Sequence, residues 1–220
     1  MRRVYHNDMS ILRQTNNHSP NLERGASART RRLMTATAIR LMQDGVTPSV
    51  SDAAIAAEVS RATAYRYFPS QAALIESVVE EALSPIIEWD SDDMDMDNRL
   101  NDFFSISLPR IFEFEATFRA ALQHSLDIRS KKAANIKVVE YEFRRGHRIE
   151  ILENLISPLK KELSARQRAK LVKALSLVFG IEAIIVLKDI GGLDSEETQA
   201  SIQWSANAMI EKALAESAKT

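Results

Sequence analysis

Residues 49–68, SVSDAAIAAEVSRATAYRYF, constrain the fold of this chain more than any other stretch. Ser49 or Ser51 can accept the free backbone N–H groups at the start of a helix, and the alanines that follow give that helix a small face for close packing. Ser60 is a second capping residue, and Pro69 ends the helix that Ser60 begins, because the residue before a proline avoids helical angles. The pattern predicts two short helices joined by a tight turn.

The second of these helices, residues 61–68, is too short to be stable alone, so its neighbours must hold it. Ala64 and Phe68 lie four residues apart and can be buried with Val59, which leaves arginine, hydroxyl and phenol side chains pointing outward. Arginine forms paired hydrogen bonds with guanine, and hydroxyl groups bind phosphate oxygens, so this face suits the major groove of DNA. The alternative is a helical hairpin inside an ordinary helical domain, with the tyrosines as half-buried packing.

This region resembles the N-terminal DNA-binding domain of TetR-type transcriptional regulators, over GVTPSVSDAAIAAEVSRATAYRYFPSQAALIESV and most specifically over SRATAYRYFPS. The resemblance covers roughly residues 28–83 and is only architectural beyond them. It implies an all-α chain, with an N-terminal three-helix DNA-binding domain that contains a helix-turn-helix, followed by a larger helical domain for ligand binding and dimerisation.

Two positions depart from the pattern of that family. Glu58 stands at the turn where relatives carry a glycine, and a non-glycine residue in the left-handed conformation costs about 1 to 2 kcal/mol. Either the turn has another geometry or the strain is tolerated. Gln71 stands where many relatives place a lysine that contacts a phosphate, so a contact there is expected to be weaker and less sensitive to salt.

Resemblance and side-chain chemistry together give the expected DNA contacts. The residues expected to meet base edges are Arg61, Ala62 and Arg66. The residues expected to hold phosphates are Ser49, Thr63, Tyr65 and Tyr67, joined by Gln71. Ser51 and Ser60 are expected to act as helix caps or as further contacts.

The charge of the chain is unevenly distributed, although its net value is −1. Residues 1–68 carry ten arginines and five acidic residues, a net of +5, whereas residues 69–102 carry ten acidic residues and one arginine, a net of −9. This arrangement directs the basic end toward phosphates. The acidic run 90–97 could bind a metal, but it lacks the glycine and terminal glutamate of a calcium loop. Solvated charges are therefore favoured, and no metal is expected.

Three segments are predicted along the chain. Residues 1–26 are polar without an apolar period and predict a mobile extension, residues 27–84 form the DNA-binding domain, and residues 85–220 form the effector-binding and dimerisation domain. Three arginines near the first helix are candidates for an arm that enters the minor groove, with a solvated helix start as the alternative. They are Arg29, Arg31 and Arg32.

The absence of cysteine excludes disulfides and thiolate metal sites. Together with the lack of a secretory segment or a long apolar span, it predicts a cytoplasmic protein that does not enter a membrane. Six glycines and six prolines in a chain rich in helix formers favour an all-helical fold. No cofactor is expected.

Five of the eight phenylalanines lie between residues 103 and 118 and predict a core rich in rings, in which Pro109 is expected to begin a helix. The resemblance implies a pocket for an unknown small-molecule effector in this domain, and aromatic clusters with few polar groups line such pockets. Ordinary core packing is the alternative for most of these rings. The residues proposed to contact an effector are Phe104, Phe118, Arg119, His124 and His147.

Two apolar segments near the C-terminus predict a partner surface. Residues 175–187, LSLVFGIEAIIVL, contain a single charge, and a second apolar stripe follows over residues 202–214. Two such helices meeting their copies would form a four-helix interface, as they do in TetR-like proteins, whereas the alternative is that both complete a monomer core. The residues expected at a homodimer interface are Gly180, Ala183, Ile202, Ala206, Met209, Ile210 and Ala213.

These patterns favour a ligand-responsive repressor that binds a palindromic double-stranded DNA operator as a homodimer. The alternative is a small helical enzyme or a protein-binding adaptor that uses the charged cluster between Arg144 and Glu153. No nucleophile elbow, phosphate loop or metal-ligand pair accompanies that cluster, so the chain is not expected to be an enzyme.

Overall fold

The structure is a computed structural model that describes residues 25–134 and 147–218. Within these two ranges the chain forms helices and connecting turns without a β-strand, which confirms the all-α prediction. The helices are α1 (Ala26–Gln43), α2 (Val50–Ala56), α3 (Arg61–Tyr67), α4 (Gln71–Ile87), α5 (Met96–Glu113), α6 (Glu115–Ala133), α7 (His147–Leu155), α8 (Ala165–Leu175), α9 (Ile181–Ile185) and α10 (Ser195–Ser217). A 3₁₀ helix spans Ser157–Lys160, and a π-helix spans Val186–Ile190. The predicted mobile extension, residues 1–26, lies almost wholly outside the described residues.

A first hydrophobic core joins α1, α2, α3 and α4. Met34, Ala38 and Met42 of α1 are buried at the spacing expected for one helix face. Ala53 and Ala54 of α2 are fully buried, so their small side chains allow α2 to pack closely on its neighbours. The first turns of α6 also contribute to this core, and α6 contacts both α1 and α4. The short helix α3 is thus held in place by packing against the other helices of this core.

A second core joins α5, α7, α8, α9 and α10. Its aromatic centre is Phe103, whose ring centroid lies 5.0 Å from that of Trp89, 5.4 Å from that of Phe104 and 5.1 Å from that of Phe179. These separations are those of favourable edge-to-face and tilted ring pairs. The predicted ring-rich core is present, and Phe104 belongs to it.

Helix α4 continues through Pro85 and ends at Ile87. A proline inside a helix leaves a carbonyl one turn earlier without its backbone donor. The guanidinium of Arg110 in α5 replaces that donor, since Nη2 donates to the carbonyl of Glu81 and Nε to that of Ala82, each over 3.2 Å. The predicted domain boundary at residue 84 therefore falls inside a continuous helix, and the division into domains stays a prediction.

The prediction that Pro109 begins a helix is wrong, because Pro109 lies inside α5. Pro109 and Ser105, whose carbonyl loses its helical donor, are both exposed, so water can supply the missing hydrogen bond. The chain breaks instead at Phe114, where φ is −103° and ψ is 22°, and α6 begins directly after it.

The apolar segment 175–187 is divided rather than forming one helix. Helix α8 ends at Leu175, and Gly180, with φ of 136°, stands before the short α9 and the π-helix. Across the described parts of the chain, no helix has the combination of length and apolarity needed to cross a bilayer.

Arg99 links the acidic segment to the end of α7, although it is only 2% exposed. Its Nε donates to the carbonyl of Leu155 over 2.9 Å, its Nη2 donates to the carbonyl of Asn154 over 3.0 Å, and its Nη1 donates to the carbonyl of Ser91. Carbonyls at the C-terminal end of a helix carry partial negative charge, so they can compensate the buried cation.

Asp95 of the acidic segment caps α5, accepting from two backbone N–H groups over 2.9 and 3.0 Å. No group of three or more potential metal ligands comes together among the described residues.

Candidate nucleic-acid interface

The turn between α2 and α3 is closed by a Schellman motif, in which the chain takes left-handed angles after the helix. The N–H of Val59 donates to the carbonyl of Ala54 over 2.9 Å, and that of Glu58 donates to Ile55 over 3.1 Å. Glu58 has a φ of 54°, so it adopts the conformation for which glycine is favoured. Of the two possibilities left open by the sequence, the structure shows the left-handed turn with its strain tolerated.

Helix α3 presents its predicted face to solvent. Ala64 and Phe68 are 0% and 1% exposed and anchor the helix in the first core, with Val59 half-buried beside them. The residues on the open face are Arg61, Ala62, Tyr65 and Arg66, all exposed, with Thr63 half-buried at its edge. This surface offers two guanidinium groups and a phenol without a carboxylate of its own.

Both helices begin at the serines that the sequence indicated. The hydroxyl of Ser60 accepts from the N–H of Thr63 over 3.2 Å and donates to its Oγ1 over 2.9 Å. Ser49 and Asp52 form a reciprocal capping box, and the hydrogen bonds that Ser49 donates hold the pKa of Asp52 below its ordinary value. The hydroxyls of Ser49 and Ser60 are thus used as caps in the free chain. Ser51 lies nearer the open face, with its Oγ 3.4 Å from the phenol oxygen of Tyr65.

Tyr67 and Gln71 lie at the border of this face and are engaged within the chain. The phenol oxygen of Tyr67 lies 2.8 Å from the hydroxyl of Ser27 and accepts from Nη2 of Arg66 over 3.2 Å. The amide of Gln71 donates to the carbonyl of Pro48 over 3.1 Å, which joins the start of α4 to the segment before α2. The structure therefore gives Tyr67 and Gln71 positioning contacts beside the DNA contacts predicted for them.

Of the two possibilities for the arginines near the first helix, the structure shows a helix start, because α1 begins at Ala26, and the minor-groove contact stays a prediction. Arg29, Arg31 and Arg32 therefore lie in the first turns of a helix and are exposed there. The guanidinium carbon of Arg31 lies 5.7 Å from the centroid of the Phe68 ring, within the range of a cation–π contact. These arginines add positive charge near α3 without forming an extended arm.

Comparison with known proteins agrees with this arrangement. No protein-family profile matches the chain. The HTH-type transcriptional repressor LfrR of Mycolicibacterium smegmatis is 38% identical over 60 residues, which is 27% of this chain and 32% of that protein. The chain therefore matches about a third of the length of this relative.

Two crystal structures share the architecture of nearly the whole chain. A TetR transcriptional regulator from Rhodococcus sp. RHA1 has a TM-score of 0.56 at 15% identity, covering 84% of this chain and 97% of that one. A TetR-family transcriptional regulator from Streptomyces coelicolor has a TM-score of 0.61 at 18% identity, covering 86% and 83%. The chain has the TetR-regulator fold. At these identities the likeness establishes the fold, and the activity follows from it as a proposal.

In this TetR-regulator fold, a cavity of about 420 Å³ lies between α4, α5, α6, α7 and the segment around α9. Its volume falls within the roughly 300 to 1,000 Å³ of small-molecule sites. Of the residues predicted to contact an effector, Phe118 and His147 line it. Phe104 is buried in the second core instead, because its ring packs on Phe103 and Phe179, and His124 lies outside the lining.

Arg119, also predicted to contact an effector, is used in an ion-pair network between α6 and the π-helix. Its Nη1 and Nη2 donate to the two carboxylate oxygens of Asp189, each over 2.7 Å, and its Nε donates to Glu115 over 2.9 Å. Lys188 donates to the same Glu115 over 2.8 Å. Burial alone would raise the pKa of Glu115, but the hydrogen bonds from Lys188 and Arg119 outweigh it and hold that pKa below its ordinary value.

The residues predicted at the homodimer interface divide into two groups. Gly180, Ile202, Ala206 and Ile210 are buried within the chain, which corrects their assignment, because they complete its own core. Ala183, Met209 and Ala213 are half-buried and border two grooves of about 230 and 370 Å³ along α10.

Trp204 was missed by sequence reasoning, and it is 74% exposed between these grooves. Leu177 and Val186 are also exposed, at 74% and 53%, and line the smaller groove, while Trp204 lines the larger one. Ser205 lines both grooves, so they adjoin. A tryptophan between polar neighbours on a C-terminal helix was a signal for this surface. Large exposed apolar patches mark interaction sites.

The charged cluster of the enzyme alternative is only partly described, since Arg144 and Arg145 lie outside the described residues. Glu150 and Glu153 are exposed on α7, whereas His147 and Arg148 line the cavity. The described members are therefore spread over different faces of the helix.

Proposed function

We propose that this chain is a DNA-binding transcriptional regulator, a cytoplasmic repressor that binds a palindromic operator as a homodimer and responds to a small molecule. The observation that carries the proposal is the open face of α3, where Arg61 and Arg66 are exposed beside Ala62 on a helix anchored by Ala64 and Phe68. Guanidinium groups on a buttressed helix can read base edges in the major groove.

The surrounding hydroxyl groups support this docking. Thr63 and Tyr65 flank the base-reading residues, and Ser51 lies beside Tyr65, so these side chains can bind phosphates on either side of the groove. Four residues at the border of this face are proposed to add phosphate contacts: Ser49, Ser60, Tyr67 and Gln71. Their contacts within the chain hold the helices and the guanidinium of Arg66 in position. Phosphate contacts position a DNA-binding unit on the duplex, and base contacts give it sequence preference.

The proposed partner on the Trp204 surface is a second copy of the chain. A two-fold dimer would place Trp204, Leu177 and Val186 of one copy against the same surface of the other, removing three exposed apolar side chains from water. The paired α3 helices would then enter successive major grooves, roughly 34 to 36 Å apart. Symmetric heads imply a palindromic site.

The proposed response to an effector passes through α4. Val79 and Leu83 of α4 line the cavity, while Leu74 and Val78 lie in the core that supports α3. A ligand that changes the position of α4 would change the orientation of the DNA-binding unit, and so the spacing of the two heads.

Selection from a random DNA library, followed by a mobility-shift assay on the enriched sequence, tests the proposal. Enrichment of a palindrome, together with loss of the shift on adding a ligand of the cavity, is the expected result. The matched control is the triple variant Arg61→Ala, Ala62→Asp, Arg66→Ala, which keeps the buried anchors of α3 and should enrich nothing. Failure of the unaltered chain to enrich any sequence at low salt would refute the proposal.

A further inference from the structure

We propose that the cavity between α6, α7 and α9 binds a monocarboxylate on an apolar body, with its carboxylate held by Arg129 and Arg148. The inference rests on the proposed function, because it takes this cavity as the effector site and specifies the chemical class of the effector. Neither the fold nor the comparisons specify that class.

Most of the cavity wall is apolar. Two rings, Phe118 from α6 and Phe179 from the segment before α9, line it together with aliphatic side chains such as Leu83, Ile111 and Ile151. A wall of this composition favours a ligand with a hydrocarbon body. The volume of about 420 Å³ leaves room for such a body and one polar head group.

The charged groups in the wall are unequal in sign. Arg129 and Arg148 contribute two guanidinium groups, and Glu182 contributes one carboxylate. Glu182 is already paired with Arg148, whose Nη2 donates to its Oε2 over 2.6 Å. Within the described parts of the chain, Arg129 has no carboxylate partner. Arg129 is exposed at the cavity, so the wall has a net positive charge at its open side that can attract an anion.

His147 adds a second uncompensated group. Its side chain is 17% exposed, and among the described residues its Nδ1 atom has no hydrogen-bond partner. The nearest carboxylate oxygen, in Glu150, lies 3.8 Å from that nitrogen, beyond hydrogen-bond distance. A buried polar atom without a partner costs free energy, and a ligand that supplies the partner recovers it.

Gly180 keeps room for the guanidinium of Arg148 in the cavity wall. With φ of 136°, Gly180 has a conformation that other residues rarely adopt, and it is buried. A Cβ atom at this position would lie 2.6 Å from Cζ of Arg148 and 2.9 Å from Oε2 of Glu182, too close for either to stay. A side chain at position 180 would therefore displace the ends of Arg148 and Glu182, and glycine leaves the ion pair in place in the cavity wall.

The test uses matched probes and isothermal titration calorimetry on the full chain without DNA. Decanoate, 1-decanol and decylamine share one hydrocarbon body, and 1-naphthylacetate with 2-(1-naphthyl)ethanol repeats the comparison on an aromatic body. Hydrogen bonds to charged groups predict that each carboxylate binds at least about tenfold more tightly than its alcohol, and that decylamine binds more weakly than either aliphatic probe.

Three variants locate the effect. Arg129→Gln should remove most of the preference for carboxylate over alcohol, whereas Arg166→Gln, which changes an exposed arginine on α8, should preserve it. Glu182→Gln releases Arg148 from its partner and should tighten decanoate binding while leaving 1-decanol unchanged. Gly180→Ala should weaken carboxylate binding through displacement of Arg148. If that variant unfolds, the result with Glu182→Gln still decides the role of the pair.

Equal binding of acids and alcohols, tighter binding of decylamine, or no binding of either carboxylate would overturn the inference. So would loss of the carboxylate preference in Arg166→Gln, because the effect would then be one of general surface charge. DNA binding is measured separately by mobility shift. A chain that shifts its operator but shows no preference for carboxylates would refute this inference alone, and a chain that binds carboxylates but no DNA would refute the proposed function.

Discussion

At the scale of single residues, Arg61 and Arg66 are the exposed cations of α3. Neither forms a salt bridge among the described residues, and Arg66 uses one of its donors, Nη2, on the phenol oxygen of Tyr67. Arg61→Ala is expected to cost about 1 to 3 kcal/mol on the preferred operator and to relax discrimination at one base pair. Arg166→Ala, on the exposed surface of α8, is the control and should change neither affinity nor preference. Titrations on the operator and on each single-base variant measure both, and unchanged discrimination in Arg61→Ala would refute the base-reading role.

Tyr67 has a different expected signature, because its hydroxyl contacts Ser27 and the guanidinium of Arg66. If the hydroxyl holds a phosphate, Tyr67→Phe weakens binding to all sequences alike and leaves the dependence of affinity on salt unchanged, because a neutral hydroxyl displaces no counterion. If it acts only by orienting Arg66, the variant changes sequence preference more than overall affinity. Binding curves on specific and random duplexes at several salt concentrations separate the two roles. We expect the first.

Glu58 shows a strain that can be removed without touching the open face of α3. Its φ of 54° places a side chain where left-handed angles cost about 1 to 2 kcal/mol. Glu58→Gly is therefore expected to raise the free energy of unfolding by about 1 kcal/mol, whereas Glu58→Ala, which keeps a Cβ atom, should not. Urea denaturation compares the two. Equal stabilities of the glycine and alanine variants would mean that the turn is not strained at this position.

At the scale of elements, the network of Glu115, Arg119, Lys188 and Asp189 joins α6 to the π-helix and predicts a pH dependence of stability. The pKa of Glu115 lies below its ordinary value of 4.5 in the folded chain, so the unfolded chain takes up its proton first as the pH falls. The stability that Glu115 contributes is therefore complete above pH 4.5 and is lost as the pH falls through the lower, folded value. Glu115→Gln should be less stable than the unaltered chain near neutral pH and should lose less stability below pH 4.5.

The control for this prediction is Glu211→Gln, which removes an exposed carboxylate from α10. It should follow the acid dependence of the unaltered chain. The free energy of unfolding, measured by urea denaturation at a series of pH values, gives the slope for each variant. A slope in Glu115→Gln equal to that of Glu211→Gln would show that the network does not hold the pKa of Glu115 down.

The elements that sequence reasoning predicted well are those fixed by local chemistry. Ser49 and Ser60 each cap the helix that follows, because a serine hydroxyl needs only the N–H groups two or three residues ahead. Pro109 was placed wrongly, and the boundary predicted at residue 84 falls inside α4, for the opposite reason. A proline can stay inside a helix when something distant or water replaces the lost donor, and the replacement at Pro85 is a side chain of α5 that no local pattern identifies.

The same distinction explains the candidate sites. Exposure of the arginines on α3 followed from the spacing of Ala64 and Phe68, which lie on one helix face. The apolar stripe of α10 was predicted, but the sequence did not show that this stripe packs into the core of its own chain. Ile202 and Ile210 are buried by packing against α5 and α8, and Trp204 is left outside. Periodicity finds an apolar face, and only the tertiary arrangement shows which neighbour covers it.

At the scale of the whole molecule, the Trp204 surface predicts that quaternary structure controls DNA binding. A large aromatic side chain at the centre of an interface contributes about 2 kcal/mol or more to association. A two-fold interface contains Trp204 twice, so Trp204→Glu is expected to shift the chain to monomers at micromolar concentration. Trp204→Phe keeps a ring at the position and should remain dimeric. Sedimentation equilibrium measures the state of each variant, and a dimeric Trp204→Glu chain would place the interface elsewhere.

The DNA-binding behaviour of the same variants separates loss of the dimer from damage to the head. Trp204 belongs to α10 and is not part of the core that supports α3, so a monomeric Trp204→Glu chain should keep an intact α3 face. It should bind one half-site with the original base preference and lose only the gain from joining two half-sites, which depends on their spacing. Inserting half a helical turn between the half-sites should therefore weaken the unaltered chain and leave Trp204→Glu unaffected. If the insertion weakened both chains equally, the spacing of the heads would not be set by this surface.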